Sequence, residues 1–222
     1  MTILIAAATP SEIEITKQFL ESSNFPINQH QPDILITGVG GISTTYSLTK
    51  SIQRKRPEYI IQAGIAGSFS TEIPLGTTVG VGEEIMGDLG AEENSEFKDV
   101  FDLGLMNEND PPFADKILKN PFVTKGTSFG LPIVRSVTIN EITTGQDRIN
   151  LLQRKFNPHI ESMEGAAFHY VCLSEKIPFI QIRAISNYVG ERNKDNWRIA
   201  LAIENLNRVV LDALRHLYEN SR

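Results

Sequence analysis

The N-terminal sequence predicts an apolar strand that passes directly into a capped helix, in Ile3-Leu4-Ile5-Ala6-Ala7-Ala8-Thr9-Pro10-Ser11-Glu12. Its apolar first half predicts a buried strand. Thr9 suits the N-cap, Pro10 suits the first helical position and Glu12 completes a capping box, so a helix is expected to run to about Leu20. A strand that passes directly into a helix is typical of layered α/β proteins.

The alternation of apolar strands and helices continues to the end of the chain. Because nothing in the composition marks a linker or a repeat, we predict one α/β domain over residues 1–222. The polar, acidic stretch 87–112 has no periodicity, which predicts a long loop or a lid. Further strands are expected at 34–37, 59–63, 77–86, 122–125, 133–139 and 179–186, and further helices at 42–55, 145–156, 164–176 and 196–219.

The composition excludes several classes of function. The 222 residues are 41% hydrophobic and 22% charged, the balance of an ordinary globular protein. A net charge of −6 and the lack of a polybasic segment disfavour nucleic acid and membrane surfaces as partners. The N-terminal apolar run is too short to span a membrane and lacks the basic flank of a signal peptide, so a cytoplasmic location is expected. With Cys172 as the single cysteine and four histidines without metal-ligand spacing, neither a disulfide nor a metal site is expected.

Residues that directly follow strands are the candidates for function, because ligands of open α/β sheets bind beyond the carboxyl ends of the strands. Glu12, Glu164 and Asn187 lie at such positions. Each also has an ordinary explanation: a capping box for Glu12, the helix dipole for Glu164 and a turn for Asn187. The glycine turn 38–41 has a misplaced third glycine and lacks the acid of a dinucleotide-binding fingerprint, so it predicts close backbone approach to a ligand rather than a dehydrogenase.

Four stretches, in the same order along the chain, resemble the nucleoside phosphorylase and nucleosidase superfamily. They are Ile5-Ala6-Ala7-Ala8 leading to Glu12, Gly64-Ile65-Ala66-Gly67-Ser68-Phe69, Glu161-Ser162-Met163-Glu164-Gly165-Ala166-Ala167-Phe168, and Ile182-Arg183-Ala184-Ile185-Ser186-Asn187. The resemblance implies a nucleoside phosphorylase-like fold with a central mixed, twisted sheet flanked by helices. It also implies a homo-oligomer, a dimer or larger, that acts on a small-molecule nucleoside without a metal or cofactor.

Within the superfamily, the chain is most similar to the futalosine hydrolases. The similar stretches are 63–69, 88–92, 162–168 and 186–190, together with Arg192 and Trp197. This resemblance implies hydrolysis of the N-glycosidic bond of futalosine to hypoxanthine and dehypoxanthine futalosine, a step of menaquinone biosynthesis. Arg135 and Arg192 are alternative partners for the benzoate of that substrate.

The resemblance assigns three catalytic residues. Glu12 would activate the attacking water as a general base, and Glu164 would accept the ribose hydroxyls and stabilise the cationic sugar. Asn187 would face the N7 and O6 edge of the purine. The residues expected to line the bound substrate are Ile65, Ala66, Gly67, Thr138, Ile139, Met163 and Ser186.

Asn187 distinguishes this chain from methylthioadenosine-type nucleosidases, which have Asp at that position. Its amide N–H₂ group can donate to a 6-oxo group, which favours hypoxanthine over adenine. An amide cannot deliver a proton, so water or solvent would have to protonate the leaving base. Neither 9–12 nor 38–43 contains the arginine that a phosphorylase normally uses for phosphate, which favours water as the nucleophile.

Two alternatives stay open from the sequence. The first is a nucleosidase for methylthioadenosine, adenosylhomocysteine or aminodeoxyfutalosine. The second is a nucleoside-binding or storage protein that uses the same fold without catalysis. Glu12 and Glu164 argue against the second alternative, because binding alone does not need a base that activates water.

Overall fold

The computed structural model describes residues 1–23, 25, 31–94, 96–123 and 129–220. Among these residues there are five α-helices and ten β-strands. The helices are α1 (Pro10–Ser22), α2 (Gly41–Arg54), α3 (Gln146–Phe156), α4 (Gly165–Ser174) and α5 (Ile199–Glu219). The strands are β1 (Ile3–Ala7), β2 (Asp33–Ile36), β3 (Tyr59–Ser68), β4 (Thr78–Met86), β5 (Gly90–Glu93), β6 (Glu96–Asp99), β7 (Leu118–Lys119), β8 (Ile133–Thr138), β9 (Ile160–Ser162) and β10 (Phe179–Tyr188).

Eight of the strands form one mixed sheet in the order β10-β4-β8-β9-β3-β1-β2, with β7 paired to β4. Because β10 also pairs with β3, the strands β3, β9, β8, β4 and β10 close into a ring. β1, β3 and β10 run parallel to one another, so their carboxyl ends meet at one edge of the sheet. This edge is where a ligand site is expected.

Two pairs of helices cover the sheet. α1 and α5 pack on one face, where Ile13 of α1 and Leu206 and Val210 of α5 join the apolar residues of β1, β3 and β10. α2 and α4 pack on the other face through residues such as Leu48 and Phe168. Burial of these side chains contributes roughly 1.5–3 kcal/mol for each large residue. The predicted α/β fold with a mixed sheet flanked by helices is therefore confirmed.

The final helix begins later than the sequence predicted. The apolar spacing predicts a helix from residue 196, but a short 3-10 turn, Lys194–Asn196, comes first and α5 begins at Ile199. Trp197 therefore lies in the connection before α5, and Leu201 is exposed rather than part of the core. The early start was wrong because the apolar spacing continues through a segment whose backbone is not helical.

The stretch 87–112 is not the structureless loop that its composition predicts. β5 and β6 form an antiparallel hairpin within it. Phe97 of β6 packs edge-on against Phe156 of α3, and Asp99 and Asp102 pair with Lys116 and Lys155. The contacts of Phe156 and Lys155 hold the hairpin against α3. They explain why a polar, acidic sequence is ordered here.

Two other expectations concern local elements. The strand predicted at 122–125 is absent at Phe122 and Val123, which lie in a turn and an irregular stretch, and residues 124 and 125 lie outside the described residues.

His169 and Cys172 on α4 are both fully buried, and burial lowers the pKa of His169 to about 3. Across the described part of the chain, every helix is too short or too polar to cross a membrane.

Candidate active site

A cavity of about 370 Å³ lies at the shared carboxyl edge of β1, β3 and β10. It contains all of the predicted site residues except Thr138. Residues far apart in sequence therefore meet in one place, as expected for residues at or just beyond the carboxyl ends of strands. The lining residues are Ala8, Thr9, Ser11, Glu12, Val39, Ile65, Ala66, Gly67, Ile139, Ile142, Glu161, Ser162, Met163, Glu164, Ser186, Asn187, Trp197, Ile199 and Ile203.

Glu12 is held at the start of α1 by the predicted capping box. Its Oε2 atom accepts hydrogen bonds from the backbone N–H and the hydroxyl of Thr9, at 2.9 and 3.0 Å. Its Oε1 atom accepts from the backbone N–H of Ile65 at 3.2 Å, on the neighbouring strand β3. The capping role and a place in the cavity are thus compatible, since one oxygen serves mainly the helix end and the other faces β3.

Glu164 is the residue immediately before α4, so it lies one position earlier than the predicted first helical turn. Its Oε1 atom accepts the backbone N–H of Gly40 at 3.1 Å. Its Oε2 atom pairs with Nη1 of Arg183 at 3.4 Å. The sequence predicts that the backbone of the glycine turn 38–41 approaches a ligand. In the structure this backbone donates to the carboxylate of Glu164.

Arg183 is the site residue that the sequence did not identify as important. It is fully buried on β10, and its Nη1 atom also donates to the carbonyl of Ile65 at 3.4 Å. A Cβ atom at Gly64 would lie 2.2 Å from Nη1 of Arg183 and 3.1 Å from Oε1 of Glu12. Only glycine leaves room there, and the guanidinium occupies the space beside both carboxylates. The sequence does contain a signal for Arg183, which is an arginine within an apolar strand. A buried charge requires an acidic partner, so such an arginine indicates a nearby carboxylate.

Asn187 is directed into the cavity by a bulge in β10. The pairing with β3 skips one residue, from Ile185 to Asn187, so Ser186 is the extra residue. Such a bulge re-aims the side chain that follows it. The Asn187 amide donates to the carbonyl of Tyr188 at 3.1 Å and its Oδ1 accepts from the hydroxyl of Ser186 at 2.8 Å.

Thr138 does not line this cavity, and this is where the structure departs from the predicted site. Its hydroxyl donates to Oε2 of Glu84 at 2.9 Å and accepts the backbone N–H of Ala166 at 2.7 Å. Glu84 also accepts from Gln181 at 2.9 Å and is completely buried, and burial raises its pKa. Thr138 therefore fixes the start of α4, directly after Glu164.

The two arginines proposed for the benzoate differ in position. Arg135 is paired with Glu83 at 2.7 Å, outside the cavity. Arg192 stacks over the ring of Trp197, with 5.5 Å between its guanidinium carbon and the ring centroid. Because Trp197 lines the cavity, Arg192 lies at its margin.

Glu161 is a further acidic residue of the cavity, which the sequence analysis named only as part of the stretch 161–168 that resembles the superfamily. It lies on β9, two strands from Asn187. Its carboxyl group is buried and its Oε2 atom accepts no hydrogen bond from the described residues. The site thus contains three buried carboxyl groups, on Glu12, Glu161 and Glu164.

Comparison with known proteins gives the class to which this site belongs. The model of the phosphorylase superfamily matches residues 4–218. The chain therefore belongs to the phosphorylase superfamily, and the resemblance predicted from four short stretches is confirmed.

Individual relatives are consistent with this assignment. A futalosine hydrolase of Streptomyces coelicolor is 31% identical to this chain, with 80% of the chain and 76% of the relative covered. A 5′-methylthioadenosine/S-adenosylhomocysteine nucleosidase of Bacillus cereus is 25% identical, with 95% and 97% covered. The crystal structure of such a nucleosidase from Colwellia psychrerythraea, in complex with adenine, superposes with a TM-score of 0.79 at 20% identity, covering 98% of this chain and 96% of that one.

Proposed function

We propose that the protein hydrolyses the N-glycosidic bond of a 6-oxopurine nucleoside, and that the nucleoside is futalosine. One observation carries this proposal: Glu12, Glu164 and Asn187 line the same cavity. The futalosine hydrolase relative, at 31% identity, supports this choice of substrate. Futalosine would yield hypoxanthine and dehypoxanthine futalosine, which places the reaction in menaquinone biosynthesis.

The reaction separates a cationic sugar from an anionic base, and the carboxylates match that charge distribution. A water molecule attacks C1′ of the ribose and transfers a proton to Glu12, while the electron pair of the C1′–N9 bond leaves with the purine. Glu164 accepts the ribose hydroxyls, and its negative charge stabilises the sugar cation as it develops. Arg183 is a positioning residue, because its guanidinium holds Glu164 and fills the space beside Glu12.

Hydrolysis is favoured over phosphorolysis by the lining of the cavity. Among the described lining residues there is no arginine or lysine. A bound phosphate is normally held by such a donor. Arg183, which lies just behind the lining, is already paired with Glu164 at 3.4 Å. Water is therefore the nucleophile that this site accommodates.

The margin of the cavity suits the aromatic acid of futalosine. Trp197 offers an apolar face at the margin and Arg192 a cationic group stacked on it. We therefore assign the benzoate to Arg192 rather than to Arg135, whose guanidinium is paired with Glu83 at 2.7 Å.

The predicted homo-oligomer stays a prediction. An apolar groove of about 890 Å³ between α2 and α4, with Tyr46 and Tyr170 exposed in it, is a surface that a second copy could cover.

The purified protein is expected to release hypoxanthine from futalosine in phosphate-free buffer. Because water is the nucleophile, ¹⁸O from labelled water should appear at C1′ of the sugar product, and added phosphate should not raise the rate. Liquid chromatography with mass detection measures both products. Release from methylthioadenosine or inosine alone, with futalosine left intact, would contradict the choice of substrate, and release of no base from any of them would contradict a nucleosidase.

Asn187→Asp is expected to lower kcat/KM for futalosine by roughly tenfold, because it removes one hydrogen bond to the 6-oxo group. The same variant should raise turnover of methylthioadenosine, since a carboxylate can accept from a 6-amino group. Steady-state assays on both substrates test this. If Asn187→Asp lowers both activities equally, the amide does not determine which base is accepted.

A further inference from the structure

We propose that Glu161 is the acid that protonates the leaving purine. Asn187 cannot have this role, because its amide has no acidic proton to give. This inference rests on the proposed function, because it concerns the same cavity and the same reaction. It replaces the expectation that solvent protonates the base. It assigns to β9 a catalytic residue that lies outside the set Glu12, Glu164 and Asn187.

The sheet register places Glu161 and Asn187 on either side of one glycine. Gly67 of β3 is the pairing partner of Glu161 on β9 and also of Asn187 on β10. Side chains in register on neighbouring strands project to the same face of a sheet. A Cβ atom at Gly67 would lie 3.3 Å from Nδ2 of Asn187 and 3.5 Å from Cγ of Glu161, so both side chains lean over the glycine. A purine edge that meets the Asn187 amide therefore also meets the Glu161 carboxyl group.

The carboxyl group of Glu161 has a free position for a ligand. Glu161 is buried, lines the cavity, and has an Oε2 atom that makes no hydrogen bond to any described residue. A buried polar atom without a partner is costly, so each such atom needs an explanation. A proton shared with a bound purine supplies one here, because the ring nitrogen would become the missing partner.

The surroundings of Glu161 keep its proton available near neutral pH. Burial raises the pKa of Glu161 to about 7, against smaller opposing effects of Thr143 and of the Arg148 guanidinium on α3. On β10 and β3 the groups that face it are Asn187 and Gly67, which do not titrate. An acid with a pKa near the working pH is well suited to general acid catalysis.

The proton balance of the reaction closes with this assignment. Water attacks C1′ and gives one proton to Glu12, while the C1′–N9 bond breaks and its electron pair moves into the purine ring. Glu161 gives its proton to N7, so hypoxanthine leaves as a neutral molecule. Afterwards Glu12 releases a proton to solvent and Glu161 takes one up, and the net reaction adds one water.

Glu161→Gln tests the proposal, because the amide keeps the shape of the side chain but cannot donate an acidic proton to N7. We expect kcat for futalosine to fall at least ~10²-fold with little change in KM. In the wild-type enzyme, kcat/KM should decline as the pH rises above about 7, where Glu161 loses its proton. That decline should be absent from the variant. Glu161→Asp, which keeps a carboxylic acid, should recover part of the rate, and Glu72→Gln, at an exposed position, serves as the control.

A second substrate separates proton donation from positioning. 4-Nitrophenyl β-D-ribofuranoside releases a phenolate that needs no proton, so Glu161→Gln should cleave it nearly as fast as the wild type does. Glu12→Gln should remain slow on both substrates. Binding of hypoxanthine, measured by calorimetry, reports whether the cavity of each variant is intact.

The outcomes distinguish this proposal from the proposed function. If the wild type hydrolyses futalosine and Glu161→Gln keeps its rate within tenfold, or keeps the alkaline decline, Glu161 is not the acid although the enzyme assignment stands. If the wild type hydrolyses no nucleoside, the proposed function fails and this inference fails with it. A large loss confined to futalosine, together with loss of the alkaline decline, supports Glu161 as the acid.

Discussion

Glu12→Gln is expected to lower kcat for futalosine hydrolysis by ~10²–10⁴-fold, the usual contribution of a general base. The amide cannot accept the proton of the attacking water. It can still accept the Thr9 N–H through its oxygen, so the end of α1 stays capped. KM should change little, because Glu12 acts on the water and the proposed ribose contacts belong to Glu164. Steady-state kinetics together with urea unfolding measure the two effects separately.

The capping box offers a competing account of Glu12, and it makes a different prediction. If the side chain only caps α1, Glu12→Gln should leave both the rate and the free energy of unfolding nearly unchanged, because the amide oxygen keeps the capping hydrogen bonds. Glu14→Gln is the matched control, because Glu14 is the next acid on the same helix and is only half-buried. This variant should change neither the rate nor the free energy of unfolding. A Glu12→Gln enzyme that is fully active would contradict the catalytic role.

The positions of Glu12, Glu164 and Asn187 could be predicted because each lies near the carboxyl end of a strand: Glu12 and Glu164 shortly after β1 and β9, and Asn187 at the end of β10. Local sequence is enough to recognise a strand end, a capping residue or a glycine turn. The layered architecture then brings these ends to one edge of the sheet. The same local signals predict the order of most helices and strands. The stretch 87–112 lacks these signals, so its sequence predicts a loop where the structure has the β5–β6 hairpin.

The contact partners of Arg183, Thr138 and Glu161 could not be predicted, because they depend on which strands are neighbours. Arg183 faces Glu164 only after β10 has paired with β3, and Glu161 faces Asn187 only across Gly67. The family resemblance predicts Thr138 as a substrate contact, but its hydroxyl donates to Glu84 and it does not line the cavity. These contacts arise from pairing register, and a single sequence does not reveal the register between distant strands.

Glu164→Gln is expected to lower both activity and stability. The amide still accepts hydrogen bonds from Gly40 and from ribose, but it no longer offers a negative charge to the sugar cation, so kcat should fall by ~10²–10³-fold. Arg183, fully buried, loses the carboxylate that neutralises it. Removing one member of a buried pair typically costs ~3–5 kcal/mol, so the urea midpoint should fall clearly.

A double variant separates the two losses. In Glu164→Gln/Arg183→Met the buried positive charge is gone, and an apolar side chain of similar length occupies its place, so much of the stability should return. The rate should not return, because the negative charge near the sugar is still missing. If the double variant regains both, then the catalytic defect of Glu164→Gln was caused by misfolding around Arg183. If it regains stability alone, the charge of Glu164 acts in the reaction itself, and Arg183 serves to hold that charge in a buried site.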